Sequence, residues 1–114
     1  MIDQKAAALL LFEDPTLIAN SNALAVLAAV NRLPSCGFPE FARAGGLIAL
    51  GINFADMDYR AATFIDKILK GAKPGELPIE RSTKFNTIIN LQTAKALGIT
   101  MPPTLLIRAD EVIE

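Results

Sequence analysis

Two adjacent acids, Glu13 and Asp14, are the polar residues of this sequence best placed for contact with a ligand. They directly follow a continuous apolar run, residues 7–12, which is typical of a strand buried on both faces. Ligands of parallel α/β sheets bind beyond the carboxyl ends of the strands, so a carboxylate here could meet an ammonium or hydroxyl group. The alternative is that either acid caps the following helix or is simply solvated.

Three further residues are expected at the same edge of the sheet. Gly37 and Phe38 end a short second strand, residues 35–38, and Asn53 follows a third strand, residues 47–52. An aromatic ring at such an edge can form a wall of a binding site, and the alternative for Phe38 is a place in the core or at a hinge. The candidate ligand-binding residues are therefore Glu13, Asp14, Gly37, Phe38 and Asn53.

The residues that most catalytic sites need are missing from the sequence. It contains no histidine, which excludes the Ser-His-Asp and Cys-His arrangements and any imidazole metal site. Cys36 is the single cysteine and is expected to pack as a small buried residue rather than to react. The glycine-rich segment 71–75 follows a helix rather than a strand, which is the wrong context for a phosphate-binding loop. The sequence predicts no enzyme, no metal and no cofactor.

The elements that position these residues alternate between short apolar runs and longer helical periodicities. The predicted strands cover residues 7–12, 35–38, 47–52 and 85–91, and the predicted helices cover residues 21–32 (starting as early as Ile18), 40–44, 55–70 and 91–97, with a last helix opened by Pro102-Pro103. In the last helix, Leu105, Leu106, Ala109, Val112 and Ile113 would share one face. Strands separated by helices cannot pair as hairpins, so the pattern predicts an α/β fold with a parallel sheet flanked by helices, over residues 1–114 as a single unit.

Composition and charge narrow the possible partners. The chain is 52% hydrophobic and 20% charged with a net charge of −1, which argues against disorder and against nucleic acid as a main partner. A mean hydropathy of +0.37 is high for a small monomer. It indicates either an apolar surface covered by a partner chain or an apolar α/β core. The start of the sequence does not resemble a signal peptide, so a cytoplasmic location is expected if Met1 is the true start.

A series of motifs in order carries a family resemblance. They are Ala44-Gly45-Gly46-Leu47, Lys67-Ile68-Leu69-Lys70-Gly71-Ala72-Lys73-Pro74, Leu77-Pro78-Ile79-Glu80, Thr83-Lys84-Phe85, Ile89-Asn90-Leu91, Thr93-Ala94-Lys95-Ala96-Leu97-Gly98, Pro102-Pro103 and the closing residues 108–114. Together they resemble the C-terminal part of ABC-transporter solute-binding proteins of the tryptophan/tyrosine-type group, which have the type I periplasmic-binding fold. The resemblance runs from Ala6 to Glu114.

The resemblance implies part of a periplasmic or cell-envelope receptor with two Rossmann-like lobes. Such a receptor captures a small molecule, for example an amino acid, and passes it to an ABC permease after a hinge closure. Relatives often carry Asp-Asn-Thr at the ligand cleft, where this sequence keeps Asp14 but has Pro15 in place of the amide. They also often have an acidic residue where Asn53 stands. By analogy, residues 7–38 and 84–97 would belong to one lobe and residues 47–70 to the other.

A partial receptor would leave strand edges and helix faces uncovered, so a symmetric homodimer with pooled strands is expected. The alternative function is a stand-alone dimeric α/β module derived from such a receptor, without transport or catalytic activity.

Overall fold

The structure is a computed structural model and describes residues 5–114. Helices and strands follow one another as β1 (Leu9–Leu10), α1 (Pro15–Ala19), α2 (Ser21–Val30), β2 (Ser35–Gly37), α3 (Pro39–Arg43), β3 (Ile48–Ile52), α4 (Phe54–Leu69), β4 (Phe85–Asn90), α5 (Leu91–Leu97), α6 (Pro103–Arg108) and β5 (Glu111–Ile113). A short 3₁₀ turn, Pro74–Glu76, interrupts the connection from α4 to β4.

The strands of the described chain form one five-stranded sheet in the order β1-β2-β3-β4-β5. The pairs β1/β2, β2/β3 and β4/β5 are parallel. The Asn90 N–H, at the end of β4, donates to the Leu47 carbonyl just before β3 at 2.9 Å. The end of β4 therefore lies beside the beginning of β3, and these two neighbours run in opposite directions. The predicted α/β class is confirmed, with a mostly parallel sheet.

The described chain divides into two compact units, one of residues 5–51 and 86–114 and one of residues 52–85. The first unit holds most of the sheet, because β3 pairs with β2 through Cys36 with Ile48 and Gly37 with Ala49. The analogy predicted a lobe boundary before Leu47, and the boundary between the two compact units lies after Gly51. The second unit contains α4 and the segment that returns to β4.

The core of the first unit is built around Phe41, whose side chain is fully buried. It packs with Phe38, Ala25 and Ala28 against one face of the sheet. Glycines at two positions allow this packing: a Cβ on Gly37 would lie 2.8 Å from the Phe41 ring, and one on Gly46 would overlap that ring. The packing of Phe41 thus explains why a glycine is at position 37, independently of any ligand.

Asn90 joins three elements of the first unit. Its side chain is buried, its Nδ2 donates to the Ala42 carbonyl of α3 at 3.1 Å, and its Oδ1 accepts from the Thr93 N–H at 3.1 Å. The second bond caps α5. Thr93 adds a bond from its Oγ1 to the Gly45 carbonyl at 2.9 Å.

The predicted helix at the end of the chain is wrong in its second half. Helix α6 ends at Arg108, and residues Glu111–Ile113 form β5 beside β4. Asp110 makes the change of direction, because its N–H donates to the Thr87 carbonyl at 2.9 Å and its carboxylate accepts from the Thr87 N–H at 2.7 Å. Pairing with a distant strand overrides the local helical spacing here.

Two other elements differ from the prediction by more than one residue. The first strand is only Leu9–Leu10 rather than residues 7–12, because only these residues pair with β2. The helical region before Pro34 is two helices, α1 and α2, separated at Asn20. Helices α3, α4 and α5 lie within one residue of their predicted bounds.

Candidate ligand-binding site

The candidate site lies where β1 and β2 end side by side. Leu10 is paired with Cys36, and the Leu11 N–H donates to the Cys36 carbonyl at 2.9 Å. The parallel register therefore brings the residues after β1 next to those after β2. A Cβ added to Gly37 would lie 3.4 Å from the Leu11 Cβ, so the two chain segments are in close contact at this edge.

Asp14 has a structural task at this edge in addition to any functional one. It is the N-cap of α1, and its Oδ1 accepts from the Thr16 N–H at 2.8 Å and from the Leu17 N–H at 3.4 Å. Its second carboxylate oxygen accepts no hydrogen bond from residues 5–114. Glu13 is exposed beside it. The edge thus carries two exposed carboxylates, one of them held in place by the helix that it caps.

Phe38 points into the core rather than toward the edge. Only 1% of its surface is exposed, and its ring packs against Phe41 with the ring centroids 6.1 Å apart. The Phe38 side chain is therefore part of the core, which was the alternative to a wall of the binding site. Its carbonyl accepts from the Phe41 and Ala42 N–H groups at the start of α3.

Asn53 lies in the second unit, at the N-terminus of α4. Its side-chain oxygen accepts from the Asp56 N–H at 2.9 Å, and its own N–H donates to the Lys84 carbonyl at 3.1 Å. The Asn53 side chain is thus the N-cap of α4, and its main chain ties the helix start to the segment before β4.

Asp56 is the centre of an ionic network in the second unit. It accepts from Lys84 Nζ at 2.7 Å and from Arg60 Nε at 3.2 Å, and Arg60 also binds Glu80 at 3.1 Å. The hydrogen bond from Lys84 is the main reason that the pKa of Asp56 is lowered. The network attaches α4 to residues 80–84, so its polar side chains are already bound to one another.

Phe12 is a candidate that sequence analysis missed. The sequence pattern placed it inside the first strand, but β1 ends at Leu10 and 76% of the Phe12 surface is exposed. An exposed aromatic ring beside Glu13 and Asp14 is suited to stack on an apolar or aromatic part of a ligand. One sequence signal was available. Phe12 directly precedes the two acids Glu13 and Asp14, and this position indicates that the buried strand ends before Phe12.

Other chemistry is sparse in the described chain. Burial raises the pKa of the Cys36 thiol, which favours the protonated form. Residues 5–114 contain no group of three or more His, Cys, Asp or Glu side chains arranged to hold a metal ion. They also contain no helix that is both long enough and apolar enough to span a membrane.

A comparison with protein families identifies the family of this chain. A family model described as ABC transporter substrate binding protein matches residues 1–113. The chain belongs to this family. It is a family of substrate-binding proteins rather than of enzymes, and its members work outside the cytoplasm with ABC transporters.

Solved structures agree with the family. The chain is similar to a conserved domain protein from Vibrio cholerae, with a TM-score of 0.86 and 26% identity over 97% of this chain and 38% of that one. It is equally similar to an ABC domain in complex with L-Trp from Streptococcus pneumonia, with a TM-score of 0.86 and 27% identity over 96% of this chain and 38% of that one.

A third likeness concerns the fold alone. The ligand-free, open structure of a substrate binding protein with adhesive properties from Clostridium difficile matches with a TM-score of 0.68 and 23% identity over 92% of this chain and 36% of that one. The chain thus spans less than two-fifths of the length of these structures. The search of curated proteins found no match.

Proposed function

We propose that the chain is the C-terminal part of a solute-binding component of an ABC transporter, and that it captures a small molecule such as an amino acid for uptake. The single observation that carries this proposal is the family match over residues 1–113. The L-Trp complex of the Streptococcus relative supports an amino-acid ligand. An extracytoplasmic location and an ABC permease as partner are the corresponding proposals for the whole protein.

The edge of β1 and β2 is the proposed contact surface for the solute in the first unit. Asp14 offers a carboxylate oxygen that the cap does not use, and it is suited to accept from a ligand ammonium group. Glu13 adds a second negative charge. Phe12 and the Gly37 main chain supply the apolar and close-packed parts of the surface. Phe38 acts through its backbone, since its ring is buried.

Asn53 is proposed as a ligand contact of the second unit, on the strength of the family resemblance alone. Its amide oxygen is used in the cap of α4. Substitution of an acid by an amide at this position would change the charge that the solute meets, so the preferred amino acid can differ from that of relatives.

A titration of the ¹⁵N-labelled full chain with L-Trp and other amino acids, followed by NMR, tests the proposal. We expect weak binding with chemical-shift changes at residues 11–16 and 37, because the chain spans 38% of the relative that holds L-Trp. Asp14→Asn should weaken that binding about tenfold, since it removes the charge. Asparagine caps a helix as well as aspartate does, so α1 should remain intact.

Glu76→Gln is the matched control, because Glu76 is an exposed acid of the second unit that is bound only to Lys73. It should leave the titration unchanged. The absence of shift changes at residues 11–16 with every amino acid at millimolar concentration would contradict binding at this edge. Equal affinity for the Asp14→Asn variant would remove Asp14 from the site.

The alternative proposal is a stand-alone dimeric module, and helix α4 favours it. None of the residues of α4 is buried, although one face of the helix is apolar. The helix contacts residues 80–84 through the polar side chains of Asp56 and Arg60 instead. An apolar helix face that stays largely exposed is suited to a partner, and a second copy of the chain is the proposed one.

A further inference from the structure

We propose that a cavity at the amino ends of β2 and β3 binds a small organic carboxylate with a short apolar body. The cavity has a volume of about 230 Å³ and lies between the end of α2 and helix α5. Its polar lining consists of Arg32, Ser35, Gln92 and Thr93. This site is independent of the proposed solute site, because Ser35 begins β2 whereas Gly37 ends it.

The backbone of Arg32 is the first observation that singles out this cavity. Arg32 has a φ of 50°, in the left-handed region that costs a side-chain-bearing residue roughly 1 kcal/mol or more. It stands one residue beyond the C-cap of α2, where its N–H donates to the Ala29 carbonyl at 3.0 Å and the Leu33 N–H donates to the Ala28 carbonyl at 2.9 Å. This is a Schellman motif, which usually has glycine at the position of Arg32.

The chain provides its own comparison for this position. Helices α3, α4 and α5 end in the same pair of hydrogen bonds, and there the residue with positive φ is Gly45, Gly71 or Gly98. Helix α2 alone among these four has an arginine. An arginine at a position that favours glycine, with an exposed side chain that lines a cavity, points to a role for that side chain.

The polar groups of the cavity are the second observation. Within residues 5–114 the Arg32 guanidinium forms no ion pair and no hydrogen bond, and no acidic residue lines the cavity. Ser35 is buried, and its Oγ accepts from the Leu47 N–H at 3.2 Å, so its own proton remains to be donated. An unpaired guanidinium and a buried hydroxyl with a proton to donate are the groups that bind a carboxylate.

The other residues that line the cavity determine the size and polarity of the ligand that it can hold. This part of the lining is formed mainly by apolar side chains, which are Ala28, Ala29, Leu33, Ala96 and Leu97. A volume of about 230 Å³ corresponds to roughly seven water-sized groups, which is enough for a carboxylate with a chain of three or four carbons. An apolar lining with one cationic group selects a monoanion with an alkyl tail over a fully hydrated anion.

Isothermal titration of the full chain with sodium butyrate, and separately with inorganic phosphate, tests this proposal at constant ionic strength. Butyrate should bind more tightly than phosphate. Arg32→Gln should weaken butyrate binding about tenfold or more, since it removes the charged donor. Arg108→Gln is the control, because Arg108 is an exposed arginine at the end of α6 that does not line the cavity, and it should change nothing.

Arg32→Gly separates binding from folding. Glycine adopts the left-handed conformation freely, so this variant should melt roughly 3–6 °C higher than the parent chain. It should nevertheless lose butyrate binding. Butyrate affinity that is equal in the parent chain, Arg32→Gln and Arg32→Gly would overturn the proposal, as would a parent chain that binds neither butyrate nor phosphate.

Discussion

Asn90 is the buried side chain on which the junction of α3, β4 and α5 depends. It donates to the Ala42 carbonyl and accepts from the Thr93 N–H. The second role depends on local sequence alone, because an asparagine before a run of helix-forming residues is a typical N-cap. The first role does not, since Ala42 is 48 positions away along the chain.

Asn90→Ala should lower the free energy of unfolding by about 2 kcal/mol, measured by urea denaturation. About half of this comes from the lost cap and about half from the lost buried hydrogen bond. Asn22→Ala is the control, because Asn22 is exposed on α2, and it should change the stability by less than about 0.5 kcal/mol. A loss for Asn90→Ala no larger than that of the control would show that the bond to Ala42 does not stabilise the fold.

The candidate site shows the same division between local and distant information. Asp14 follows an apolar run and precedes Pro15, so both of its possible roles, cap and ligand contact, could be stated from the sequence. Gly37 was placed correctly at the end of β2, whereas Phe38 directly follows the strand and is the N-cap of α3. The direction of the Phe38 ring into the core depends on Phe41, Ala25 and Ala28, which only packing brings together.

Helix α4 lies within one residue of its predicted bounds. The helical spacing of its apolar residues predicted a helix over residues 55–70, and the helix covers Phe54–Leu69. The position of the helix is held by the network of Asp56 with Arg60 and Lys84. The Asp56–Arg60 pair follows from the i,i+4 spacing on one helix, whereas Lys84 is distant in sequence and only the fold brings it to Asp56.

The second unit should lose stability in acid. The pKa of Asp56 is lowered by the Lys84 hydrogen bond, so folding favours the ionised carboxylate. The resulting stabilisation is fully present above the unfolded pKa of about 4 and disappears as the pH falls through the lower folded pKa. Asp56→Asn should therefore be less stable than the parent chain at pH 7, and the difference should shrink toward about pH 2.

Asp58→Asn is the control for this pH dependence, because Asp58 is exposed on the same helix. Thermal unfolding at a series of pH values should give parallel curves for the control and the parent chain. Curves for Asp56→Asn that run parallel to the parent as well would show that the Asp56 network does not contribute to the acid sensitivity.

At the scale of the whole molecule, the exposed face of α4 makes a prediction about assembly. Phe54, Met57, Ala61, Phe64 and Ile68 recur at alternating spacings of three and four residues, the spacing of a helix–helix seam. Ile68 in this seam, and Ile65 and Leu69 directly beside it, have large exposed side chains. We expect a homodimer through this face, since association removes apolar surface from water.

Light scattering coupled to size exclusion should give the mass of a dimer for the parent chain. Ile65→Glu should shift it to a monomer, because a buried, unpaired carboxylate opposes the contact. Thr63→Glu, on the polar side of the same helix, should remain a dimer. A monomeric parent chain would contradict the dimer, and a dimeric Ile65→Glu variant would place the interface elsewhere.

The amino-acid sequence by itself determined the α/β class, the positions of α3, α4 and α5, and the family resemblance, because each depends on short-range periodicity, caps and motifs in order. The tertiary structure alone decided that residues Glu111–Ile113 form a strand, that β4 runs opposite to β3, and that Arg32 and Ser35 line one cavity. These features depend on hydrogen bonds and packing between residues far apart along the chain, whose energies outweigh local preference and leave no local pattern.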